Sequence, residues 1–227
     1  MSATVRFAAV LAAVVAVAPA FIRQSALAQA DKAAIMRGHY AEVLVMHAAV
    51  IRGDVPAIAV PTNPPAPQAT LDEMRFAARW AGDTSNLAVA AAATASLVRG
   101  CGDCHRASVV RPTAELPGNT KVGGVVGTMQ EHQRAAEQML QGLIGPSTAA
   151  WREGARAFAG APLHPRSLPV DTAERKQMVL VEERLQRKAA AAADLEDSYA
   201  RAAAYASILA ECSGCHGKHA KIWGPVR

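Results

Sequence analysis

Residues 101–105 read CGDCH and residues 212–216 read CSGCH, and these two windows hold all four cysteines of the 227-residue chain. Cysteines three positions apart share one face of a helix. The histidine that follows adds an imidazole nitrogen beside them. Three uses of such a pattern compete with a fourth. A thioredoxin-like C-x-x-C needs a βαβ context, and no such strand pattern is present. A zinc site would gather the four thiolates and leave both adjacent histidines without a task. Two local disulfides would be a purely structural use.

The fourth use is the attachment of c-type haem, for which C-x-x-C-H is the signature. Cys101, Cys104, Cys212 and Cys215 would form thioethers to the haem edge, and His105 and His216 would be the proximal iron ligands. Two copies of the motif, no spare cysteine and an export signal favour this use. The expected cofactors are therefore two covalently bound haem c groups.

The export signal lies at the start. Residues 7–22 read FAAVLAAVVAVAPAFI, apolar throughout, with Arg6 before them. Small-residue cleavage patterns follow at Ala18-Pro19-Ala20, Ala26-Leu27-Ala28 and Ala28-Gln29-Ala30. That is the layout of a secretory signal peptide, with cleavage expected after Ala30 and a periplasmic destination. The apolar run is short for a spanning helix; left uncleaved, it would tie the protein to a membrane.

Removal of residues 1–30 leaves 227 − 30 = 197 residues, enough for one large or two small domains. Arg6 and Arg23 leave with the signal, so the mature formal charge is 24 − 2 − 19 = +3. Such a balance does not argue for nucleic acid, and three tryptophans are too few for a base-stacking platform. Aromatics are 4% and alanine is abundant. Alanine is the best helix former, and the β-branched and aromatic strand signal is sparse. The fold class expected is all-α.

An internal repeat organises these helices. Residues 36–52 read MRGHYAEVLVMHAAVIR and residues 129–145 read MQEHQRAAEQMLQGLIG. At an offset of 93, Met36 falls on Met129, His39 on His132 and Met46 on Met139. The apolar-or-His positions 36, 39, 43, 46, 50 and 129, 132, 136, 139, 143 form one stripe of an amphipathic helix. Met46 and Met139 read as core residues. His47 has no counterpart, since the second copy has Leu140, and is expected on the helix flank. Each half ends with an alanine tract running into its C-x-x-C-H. Thr70…Glu73, Thr128…Glu131 and Asp171…Glu174 resemble capping boxes and predict helix starts. Glycines and prolines within 107–127 have linker composition. The expected organisation is a signal peptide at 1–30, a first haem-binding bundle at 31–110, a linker at 111–124 and a second bundle at 125–227. Residues 55–69 form a proline-rich loop or broken helix of the first, and His164 sits in a proline-rich, solvated stretch of the second.

After His216 the only residue of a ligating type is His219, three positions along the same segment, where it cannot reach the opposite haem face. A distal ligand must come from upstream. The opening helices supply Met129 and His132 for the second haem and, by the repeat, Met36 and His39 for the first. Arg106, Arg111, Lys218 and Lys221 follow the motifs; a solvated basic face is the plain reading, beside pairing with propionates or an acidic redox partner.

With CGDCH and CSGCH at the ends of their units, and MRGHY and MQEHQ in the opening helices, the chain resembles two fused units of the cytochrome c′ family and its low-spin relatives. The resemblance spans nearly all of the mature chain and departs from the family in having two units and a short first one. It implies an antiparallel four-helix bundle with the haem motif on the last helix. It also implies a distal residue about one helix length before the end of the first helix, where low-spin members place a methionine. Met36 and Met129 occupy that position, and His39 and His132, one turn on, are the alternatives. The function this implies is electron transfer between periplasmic redox partner proteins, without a catalytic acid or base; members of the family often form homodimers. The competing readings are a gas-binding or peroxide-handling protein with an open distal face, and a haem subunit of a larger periplasmic oxidoreductase.

Overall fold

Alanine side chains let helix axes approach closely, and Ala90, Ala91 and Ala93 of one tract and Ala189 and Ala192 of the other are buried. The structure, a computed structural model, describes residues 32–54, 68–112, 116, 122–164, 168 and 170–219. The signal segment 1–30, most of the proline-rich stretch 55–69 and part of the linker lie outside these residues. Every regular element among the described residues is an α-helix. Helix α1 spans 32–52, followed by α2 (Gln68–Asp83), α3 (Leu87–Ala107), α4 (Gly124–Ile144), α5 (Thr148–Ala159), α6 (Thr172–Ala192) and α7 (Ser198–Lys218).

Side-chain caps fix several helix starts. The Asp171 carboxylate accepts from Glu174 N at 2.9 Å, as its capping pattern predicts. Asn86, Ser147 and Asp197 cap α3, α5 and α7 in the same way. The other two expected caps are corrected. Thr128 lies four residues inside α4, where its hydroxyl donates to Gly124 O, and the N-cap is Gly123. Thr70 likewise lies within α2, which begins at Gln68.

Helices α2 and α3 form one hairpin, and α4 and α5 another. Two glycines close the second: a Cβ on Gly154 would meet Met139 N at 2.7 Å, and one on Gly142 would meet Trp151 Cα at 2.7 Å. Helix α7 packs against α3 and α6. Its contacts with α3 run antiparallel: the Arg99 guanidinium lies 4.0 Å from the Tyr199 ring, and Leu87 faces Gly217.

One core runs through both halves of the repeat. Val43, Met46 and Val50 of α1 and Ala91, Leu97 and Val98 of α3 are buried with Met139 and Leu140 of α4, Trp151 and Phe158 of α5, and Tyr205, Ile208 and Leu209 of α7. The expected boundary at 111–124 thus separates helices along the chain but does not divide this core. Met46 and Met139 are core residues. His47 is not on a flank; it is completely buried, with its Nε2 on the Tyr205 hydroxyl. Among the described residues no helix is long and apolar enough to cross a membrane.

Candidate functional site

The CSGCH turn lies near the C-terminal end of α7, and α4 crosses it with its first turns. Between them is a cavity of about 520 Å³, a size suited to a cofactor. Cys212, Cys215 and His216 of α7 line it on one side, and Met129 and His132 of α4 line it on another. Phe158, Met178 and Leu185 add apolar wall, and Ala48, Ile51 and Arg52 of α1 close a further side. The structure therefore brings every candidate site residue of the second half to one cavity. It also adds α1, which the repeat assigns to the first half.

The two candidate distal side chains differ in their commitments. His132 is 7% exposed, stacks on Phe158 with ring centroids 4.6 Å apart, and donates from Nε2 to Ala161 O at 2.6 Å. The same nitrogen lies 3.5 Å from Glu182, whose carboxylate also accepts from Leu163 N and Gln186. Met129 is half-buried and packs with Leu163, Leu168 and Met178. A thioether has no proton to donate, and its sulfur needs no partner to be buried. His216 has its pKa lowered by burial first and then by the nearby charges of His132 and Arg52. A neutral imidazole is the form that can ligate iron.

At CGDCH the packing is tight. Gly102 lies directly against Leu143 O, where no Cβ could fit. This close approach lets the last turns of α3 cross the end of α4. His105 then donates from Nδ1 to Ile144 O at 2.7 Å, which uses one of the carbonyls left open at the end of α4. That bond fixes the ring and leaves Nε2 with its lone pair, the arrangement that typically supports a metal-ligating histidine. Met36 and His39, the candidates for the distal side of this site, are half-buried on α1. His39 lies 3.4 Å from Glu42 of its own helix. Among the described residues no hydrogen bond or ion pair joins His39 to the CGDCH turn.

The antiparallel packing of α3 and α7 puts the two motifs toward opposite ends of the pair, on the order of 20 Å apart along the axis at 1.5 Å per residue. Four thiolates cannot meet on one zinc, and no group of three or more His, Cys, Asp or Glu among the described residues could hold a metal ion. Burial pushes the Cys101 and Cys212 thiols up to about 12 and Cys215 to about 11. Dithiol redox catalysis needs the opposite, a thiol held low. All four thiols are unpaired.

His219 is buried, and its Nδ1 contacts Glu174 Oε1 on α6. His164 and Lys218 are exposed, as expected. Arg106 pairs with Asp103 at 2.8 Å, and Arg111 reaches Val110 O. Lys221 and Trp223 lie outside the described residues. Sequence reading missed the contributions of α1 to the second site, and only the amphipathic run through Ala48, Ile51 and Arg52 hinted at them. No protein family, curated protein or solved structure matches the chain.

Proposed function

We propose that this chain is an exported dihaem c-type cytochrome that carries electrons between periplasmic redox proteins. The observation that carries this reading is the cavity that Cys212, Cys215, His216 and Met129 line together. Cys212 and Cys215 would hold a covalent group here, with His216 and Met129 available from the same cavity, within walls that are mostly apolar. Bound haem supplies a one-electron ferric–ferrous couple whose potential follows axial ligand, burial and hydrogen bonding. The chain supplies the rest. His105 is oriented by Ile144 O, and Met129 is the preferred distal candidate at the second site because His132 is committed to Ala161 and Glu182. Phe158, Met178 and Leu185 limit access of water. At the first site Met36 remains the candidate over His39.

The test is mass spectrometry of the purified mature protein together with its optical and EPR spectra, with and without CO. Two haems attached per chain, both low-spin and indifferent to CO, are the expected result. Removal of Cys212 and Cys215 should leave one. If both haems stay attached after that change, or none is ever attached, the reading fails. A high-spin haem that takes up CO would replace electron transfer at that site by gas binding or peroxide chemistry.

A further inference from the structure

Among the described residues, the wall of the second cavity holds one arginine or lysine, Arg52, at the last turn of α1. Two carboxylates share the wall, and both are engaged elsewhere. Glu211 is held by Lys188 at 2.8 Å and Arg184 at 3.3 Å, and Glu182 by Leu163 N, Gln186 and His132. Arg52 is half-buried, and among the described residues no carboxylate pairs with it. A guanidinium removed in part from water calls for an anion. Its position is not free to drift. The Ser213 hydroxyl, between the two cysteines of CSGCH, shares its one proton between Leu209 O of its own helix and Val50 O at the end of α1. Gly53 then turns the chain away with φ +70, where a Cβ would come 3.2 Å from Ser213 O. The motif itself thus fastens the end of α1 and sets Arg52 at the cavity.

We propose that Arg52 receives a carboxylate of the group bound at CSGCH, so that a helix of the first repeat completes the site of the second. This rests on the haem reading above, since haem brings two carboxylates into a mostly apolar space. Arg52 is a binding and positioning residue rather than a ligand. Its positive charge disfavours the additional charge of ferric iron and so raises the potential of that haem.

The experiment is a spectroelectrochemical titration of the full chain carrying R52K, R52Q or R52E, with haem content by mass and helicity by circular dichroism. The expected result is two haems in each variant and a shift of one potential only. That potential should fall in R52Q, fall further in R52E and stay near wild type in R52K. Potentials unchanged across the series, or a loss in R52K equal to that in R52Q, would overturn the proposal, because a purely packing role would not follow charge. A wild-type titration in rising acetate or phosphate needs no variant. A flat response is expected if the carboxylate belongs to the bound group, and a dependence on the added anion would assign Arg52 to a free anion instead. Absence of haem on Cys212 and Cys215 would remove the haem reading itself, and the mass measurement separates that failure from the others.

Discussion

His47 is a histidine without an exposed atom, in contact with Tyr205 on α7. The Tyr205 hydroxyl donates to Ala136 O at 2.9 Å, so the 2.7 Å contact has His47 Nε2–H donating to the phenol oxygen. Nδ1 is left buried and unpartnered. Burial lowers the His47 pKa to about 4 from the model-compound value of 6.5. Between those values the unfolded chain binds a proton that the folded protein refuses. Stability is therefore greatest above pH 6.5 and falls as pH drops towards 4, by about 1.4 kcal/mol per pH unit at most from this group. His47→Leu should flatten that limb in urea unfolding followed from pH 7 to 4.5, while His216, also held low by burial, leaves a residual slope. An unchanged slope would mean that His47 titrates normally in the fold. At the same scale, Met129→Leu keeps the volume of a wall residue and removes the thioether. The second haem is then expected to become high-spin and to bind CO with little loss of stability, below about 1.5 kcal/mol. A spectrum identical to wild type would return the distal role to His132.

At the level of elements, the placement of CGDCH depends on a glycine between its cysteines. Gly102 allows the end of α3 to lie on the end of α4, and His105 reaches Ile144 O only because of that crossing. Gly102→Ala should force the two helix ends apart at a cost of about 1–3 kcal/mol. Haem attachment at the first motif should fall while that at the second persists, as read by mass after Cys212 and Cys215 have been removed in one series and retained in another. Normal loading and an unchanged melting temperature would show that the crossing can relax. The equivalent position in the second motif is Ser213, which serves differently, as a donor to Val50 O. The motifs look interchangeable in sequence because the histidine and cysteine positions match. The residues between the cysteines carry the difference, and no periodicity reveals which helix they will meet. The same limit applies to α1. Its stripe of Met36, His39, Val43, Met46 and Val50 is legible as an amphipathic face, but a face does not name its partner.

At the scale of the whole molecule, the repeat suggests two self-contained units, yet helices of both halves bury one another. Tyr205 is enclosed by His47 of α1, Ala136 of α4 and Trp151 of α5. The Trp151 indole in turn donates to Ala192 O of α6 at 2.8 Å. Helix α7 would lose its α1 and α3 neighbours if residues 125–227 were made alone, thinning the cover over the core that buries Ala202, Tyr205, Ile208 and Leu209. Burying a side chain of the size of Ile208 or Leu209 contributes about 1.5–3 kcal/mol, so losing several such contacts exceeds much of the 5–15 kcal/mol that holds a typical domain folded. The fragment 125–227 is therefore expected to be largely unfolded or aggregated. The full chain is expected to unfold in a single cooperative transition, with calorimetric and van't Hoff enthalpies in agreement. Two separated transitions, or a fragment with native helicity and its haem attached, would restore the picture of independent bundles. Joined through one core, the two motifs lie on the order of 20 Å apart along α3 and α7. An electron passed between them would then cross the core that α3 and α7 share.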